Sequence, residues 1–208
     1  MSLIRASADG DLAAVKRLVA EGVDINAADA RGRTALLEAA WGGYRDIVSL
    51  LLEKGAVVNR PDSSGFTPIC RSVEEGFDAI TALLLENGAE VNIRAGTRGS
   101  TPLMLAAENG NRRIVAMLLN HGAQVTMLDQ FGESALDRAL RYDHEEAAAL
   151  LREQGAKARP ERSIYGSGDS DLRPYKRAAV PQWTSIGEET GFDDLDDFSD
   201  DQFEEEPE

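Results

Sequence analysis

Cysteine and histidine are nearly absent: 208 residues contain one Cys, Cys70, and two His, His121 and His144. A lone thiol excludes an internal disulfide framework and fits a reducing compartment, so a cytoplasmic location is expected. Two isolated histidines and one cysteine without ligand spacing argue against a transition-metal site, and no cofactor is expected. Gly96-Thr97-Arg98-Gly99 is too short for a phosphate loop and precedes no lysine. Glu74 and Glu75 adjoin, so they diverge on a helix and form no acid–base dyad. These absences point away from an enzyme. No apolar run approaches the roughly 20 residues of a membrane span. Met1-Ser2-Leu3-Ile4-Arg5-Ala6 lacks the apolar core of a signal peptide, and there is no Asn-x-Ser/Thr site.

Basic residues are missing from one region only. The net charge of −15 divides into −4 over residues 1–160 and −11 over residues 161–208. The last 21 residues hold 12 acids and no base. A nearly balanced body therefore precedes a polyanionic tail.

What the body does contain is repetition. Thr34-Ala35-Leu36 returns as Thr67-Pro68-Ile69, Thr101-Pro102-Leu103 and Ser134-Ala135-Leu136, at spacings of 33, 34 and 33. A glycine follows 21 residues after each start: Gly55, Gly88, Gly122 and Gly155. Counting back from Gly22 puts an earlier copy at Met1. Five copies at this period predict a stacked repeat architecture. Within one copy, Leu36, Leu37, Ala39 and Ala40 have helical spacing and stop at Gly42-Gly43. A second helical run, Ile47 to Leu52, ends at Gly55, expected as a C′ glycine. A turn segment, Pro61 to Gly65, leads into the next copy. Thr34, Thr67 and Thr101 are expected to cap the helices they precede, with Pro68 and Pro102 in first turns.

Helix, turn, helix and hairpin-like finger resemble the ankyrin repeat. Thr101-Pro102-Leu103, Ala106-Ala107, Gly110, Leu118-Leu119 and Gly122-Ala123-Gln124-Val125 match the family signature. The resemblance implies an all-α solenoid of five repeats, about 1–30, 31–63, 64–97, 98–130 and 131–160, with β-hairpin-like fingers. The family histidine is replaced by Leu37, Cys70, Met104 and Asp137, so its bracing bonds cannot be assumed. The third finger, Ile93 to Ser100, has one extra residue and lacks the acid recurring as Asp29, Asp62 and Asp129. It is expected to project differently. Arg17 and Arg152 replace apolar residues of the other copies and read as polar terminal caps, which would make five repeats the whole stack.

By the same resemblance, finger tips and first-helix ends line a concave partner-binding face. The candidates there are Arg31, Arg33, Trp41, Phe66, Glu74, Glu75, Arg98, Glu108, Asn109, Phe131, Arg141 and Tyr142. Trp, Tyr and Arg dominate binding energy at interfaces. Phe66 and Phe131 can equally pack against neighbouring fingers. Charges alternate along this face, so nucleic acid is not an expected ligand.

Residues 161–208 combine low hydrophobicity with high net charge and are expected to be disordered in isolation. Trp183, Phe192, Leu195, Phe198 and Phe203 are interleaved with the acids, a pattern that fits anchoring on a basic, partly apolar surface. An ankyrin stack followed by an acidic tail is similar in outline to the NF-kappa-B inhibitors, whose acidic end opposes nucleic-acid binding by the client. The expectation is a monomeric adaptor that holds a protein partner, with a basic or nucleic-acid-binding protein as the sharpest form, while its tail clamps or shields a basic region. Two alternatives stay open: a plain scaffold with a solubilising tail, and a transcription cofactor using the tail as an activation segment.

Overall fold

The computed structural model describes residues 1–158. Trp183, Phe192, Leu195, Phe198 and Phe203 lie outside the described residues, as does everything expected of the tail.

Each copy builds two short antiparallel helices. In chain order these are α1 (Leu3–Ala8), α2 (Leu12–Ala20), α3 (Ala35–Trp41), α4 (Arg45–Glu53), α5 (Pro68–Glu75), α6 (Asp78–Glu86), α7 (Pro102–Glu108), α8 (Arg112–Asn120), α9 (Ala135–Arg141) and α10 (Glu145–Glu153). Odd-numbered helices pack on one another as an inner row and even-numbered helices as an outer row. The inner row is the more closely packed. Its alanines explain this: Ala39, Ala40, Ala106, Ala107 and Ala139 are fully buried and let neighbouring backbones approach. This is the all-α repeat solenoid that the resemblance implies. No helix among the described residues is long and apolar enough to cross a membrane.

One column of leucines runs through the stack. Leu51, Leu84, Leu118 and Leu151 have no exposed surface, and Leu36, Ile69, Leu103 and Leu136 face them from the inner row. Repeat three places Thr81 in this core, where its hydroxyl meets the Ser72 hydroxyl at 3.0 Å, so neither is left unpaired. Arg17 and Arg152 are exposed on the outer row. Leu50, Leu83, Met117 and Leu150, in the Arg17 column, are half-buried.

Asparagine side chains tie the backbones of successive repeats together. Asn26, Asn59 and Asn92 each donate to a glycine carbonyl one repeat on, at 3.3, 3.0 and 3.2 Å from Gly55, Gly88 and Gly122. Their side-chain oxygens accept from the amides of Val57, Glu90 and Gln124. Thr126 stands in the fourth place, and among the described residues no matching bond reaches Gly155. On the turns between paired helices, rings lie over glycine. His144 sits on Gly110 so closely that a Cβ there would collide with its imidazole, and its Nε2 is 3.0 Å from the Glu108 carbonyl oxygen.

Two local expectations need correction. Thr34 and Thr101 cap α3 and α7 by accepting from the Leu37 and Met104 amides, but Thr67 makes no such bond. Its hydroxyl lies 3.4 Å from the Cys70 sulfur instead. The third finger also remains in line with the others. Successive fingers are joined by amide–carbonyl bonds from Ser63 to Arg31, Gly96 to Ser64 and Gln130 to Arg98, at 2.8, 2.9 and 2.9 Å. The extra residue is absorbed inside the turn, where Ala95 and Ser100 exchange both backbone bonds and Gly96 and Gly99 take positive φ.

Leu118→Ala should destabilise the described stack by about 2–5 kcal/mol, whereas Leu50→Ala on the half-buried outer row should cost clearly less. Urea melts of the two variants check this, and equal midpoints would contradict the register.

Candidate partner-binding face

The finger tips are shaped by carboxylates. Asp29 Oδ1 accepts from the amides of Arg31 and Arg33 at 2.8 and 2.9 Å. Asp62 does the same with Ser64 and Phe66, and Asp129 with Phe131 and Glu133. The second oxygen of each holds an arginine: Asp29 with Arg33 at 2.7 Å, Asp62 with Arg71 at 3.1 Å, Asp129 with Arg138 at 2.8 Å. Desolvation pushes the Asp29 carboxyl up, but hydrogen bonds from the Arg33 amide, the Arg33 guanidinium and the Arg31 amide outweigh it. The group is held below the ordinary carboxylate range.

These arginines lie between the fingers and the inner helices. Arg33 also pairs with buried Glu38 at 2.8 Å. Arg71 pairs with Glu74 at 3.0 Å, and its guanidinium lies 3.8 Å from the Phe66 ring and 4.7 Å from the Trp41 ring. The Trp41 indole N–H donates to Glu75 at 3.3 Å. Arg138, only 1% exposed, bonds Ser100 at 2.7 Å and Glu108 at 2.8 Å in addition to Asp129. Arg98 stacks 5.2 Å from Phe131 and reaches Glu133 at 3.2 Å, and Arg141 also meets Glu133. The Nε–H groups of Arg71, Arg98 and Arg138 are buried without hydrogen-bond partners, so these side chains are held by their terminal nitrogens.

The twelve candidate residues therefore divide. Arg33, Phe66, Glu74, Arg98 and Glu108 are half-buried in contacts within the chain. Phe66 packs on Gly96 of the following finger. Asn109, although exposed, donates to the Glu74 carbonyl at 2.8 Å and so ties α7 to the end of α5. Tyr142 is half-buried and stacks on His144 with centroids 6.4 Å apart. Arg31, Glu75 and Arg141 are exposed. Trp41 is 40% exposed, and Phe131, at 67%, is the most exposed ring among the described residues.

The model of the family described as ankyrin repeats (3 copies) matches residues 3–95 and again 94–161. The chain belongs to the ankyrin-repeat family. Two Rickettsia felis proteins, the ankyrin repeat proteins RF_p14 and RF_pd14, are each 52% identical to it over 46 residues, 22% of this chain. That segment covers 73% of the first and 70% of the second. Ankyrin repeats in general are protein-interaction modules and typically non-enzymatic.

With the ankyrin register established, the replaced family histidines can be followed. Met104 accepts from the Thr101 amide through its sulfur at 3.4 Å, and Asp137 accepts from both amide and hydroxyl of Ser134. Cys70 meets the Thr67 hydroxyl, and burial pushes its thiol up despite that contact. Three of the four replacements thus brace the same turn with different atoms.

Sequence reasoning missed Glu38, Arg71, Leu105 and Arg138, which share one place in successive ankyrin repeats, four residues after each cap. A charged side chain recurring inside an otherwise apolar helix was the available signal. Removing Arg138 would leave the buried Asp129 Oδ2 without its closest cation. Arg138→Ala should cost about 3–5 kcal/mol and Arg138→Met as much or slightly less, while Arg98→Ala should cost clearly less, because Asp129 keeps Arg138 and Glu133 keeps Arg141. Denaturant melts read the difference, and equal losses for Arg138→Ala and Arg98→Ala would contradict the assigned geometry.

Proposed function

We propose that this ankyrin stack is an adaptor that binds a protein partner on the face between fingers and inner helices. The tail clamps or shields a basic region of the same partner, in the manner of an escort or inhibitor. One observation carries the reading: both candidate surfaces are negative while keeping apolar rings. On the face, Arg31, Arg33, Arg71, Arg98, Arg138 and Arg141 stand among eight carboxylates, those of Asp29, Glu38, Asp62, Glu74, Glu75, Glu108, Asp129 and Glu133. Trp41 and Phe131 stay exposed beside them. The tail adds a net −11 with Trp183, Phe192, Leu195, Phe198 and Phe203 interleaved. A basic partner with apolar anchors fits both, and a polyanion such as nucleic acid fits neither.

Two linked weak contacts raise effective concentration, so loss of either reduces affinity more than its own contacts indicate. Affinity capture with the full chain and with a chain lacking residues 188–208 tests this. The shortened chain should retain the same partner about 100-fold less tightly, with a weaker salt dependence. Capture unchanged in strength and salt dependence would remove the clamp and leave a plain scaffold.

A further inference from the structure

The row of charges along the inner helices is interrupted once. Where the other repeats carry Glu38, Arg71 and Arg138, repeat four carries half-buried Leu105. The finger in front of it also departs from the pattern. Ala95, 1% exposed, stands where its neighbours have aspartate, and Gly96 and Gly99 bring backbone without side chains. These two departures coincide in space. They open a groove of about 340 Å³ between the fingers and α5, α7 and α9, with Phe66, Ala95 and Leu105 as apolar lining.

The polar rim is defined by what is already engaged. Arg98 and Arg138 line the groove, but their terminal nitrogens bond Glu133, Asp129, Glu108 and Ser100. Glu74 and Glu108 line it as well, and exposed Glu75 stands beside Glu74. Within the lining, Glu74 and Glu108 balance Arg98 and Arg138, and the flanking Asp62, Glu75, Asp129 and Glu133 outnumber Arg71 and Arg141 by two. The excess charge is therefore negative in the surroundings of an apolar floor.

We infer that this slot is the specificity determinant of the face. It takes one aliphatic or aromatic side chain of an extended partner segment, and an adjacent Lys or Arg of that segment pairs with Glu74 at the rim, in the field of exposed Glu75. The inference rests on the adaptor reading and adds the chemistry of the recognised segment. The chain's own run Asp193-Asp194-Leu195-Asp196-Asp197 has the opposite charge from that segment. Like-charge contact disfavours it as the occupant.

The test is selection of a random dodecapeptide phage library on the full chain, followed by fluorescence polarisation with the enriched peptides. Enriched sequences should pair Lys or Arg with Leu, Ile, Met or Phe. Replacing the cation by Glu should weaken binding about tenfold or more. Leu105→Arg, which fills the slot with a residue type two neighbouring repeats accept there, should weaken it by a similar factor, and Glu75→Lys by about threefold. Thermal melts establish that each variant is folded. If Leu105→Arg destabilises the stack, Glu75→Lys carries the test, because Glu75 is exposed. Enrichment of acidic peptides, or of none with the basic–apolar pair, overturns the inference. Binding insensitive to Leu105→Arg and Glu75→Lys but weakened by Phe131→Ala or Arg31→Glu overturns the slot while the face reading stands. Binding insensitive to all four overturns both.

Discussion

One carboxylate in each of three fingers organises the surface. Asp29, Asp62 and Asp129 each use one oxygen to close their own turn through two amides and the other to hold an arginine. A short, half-exposed turn has no hydrophobic core of its own, and ordering it costs about 1–2 kcal/mol of backbone entropy per residue. Charge-assisted bonds to amides offset that cost at the place where it is incurred. The arginines then fix the space between fingers and inner helices, because each is also bound to a second acid.

This ordering has a consequence for recognition. A face whose long side chains are already immobilised loses less entropy when a partner docks. Arg71, lying over both Phe66 and Trp41, is the clearest case, with three side chains from two repeats holding one another. Such stacks contribute about 0.5–2 kcal/mol each and present rigid ring edges. The arginines of this face thus act mainly as internal mortar, and the excess acids set its sign.

The fold was legible because a 33-residue period with apolar columns leaves little choice of architecture. Leu84 and Leu118 are as buried as their place in the repeat demands. Local deviations were harder to read. The third finger looked irregular from its extra residue, yet the finger-to-finger bond from Gly96 to Ser64 keeps it in line. Thr67 looked like its counterparts, but a cysteine in the next turn draws its hydroxyl away. On the face, the intramolecular contacts of individual side chains were not legible. Phe66 and Asn109 are engaged within the chain, while Arg138, hidden in a helical run, reaches across 38 residues to Ser100. Periodicity places a Cβ; it does not reveal which of several acids a long arginine will choose.

Native-state hydrogen exchange of the finger-tip amides tests the central claim most directly. The account predicts that Arg31, Arg33, Ser64, Phe66, Phe131 and Glu133 exchange slowly, comparably with the interior of the adjoining inner helices, because each donates to a finger carboxylate. Protection of Ser64 and Phe66 should disappear in Asp62→Ala while that of Phe131 and Glu133 remains. Exchange of all six at the rate of open loops would contradict it.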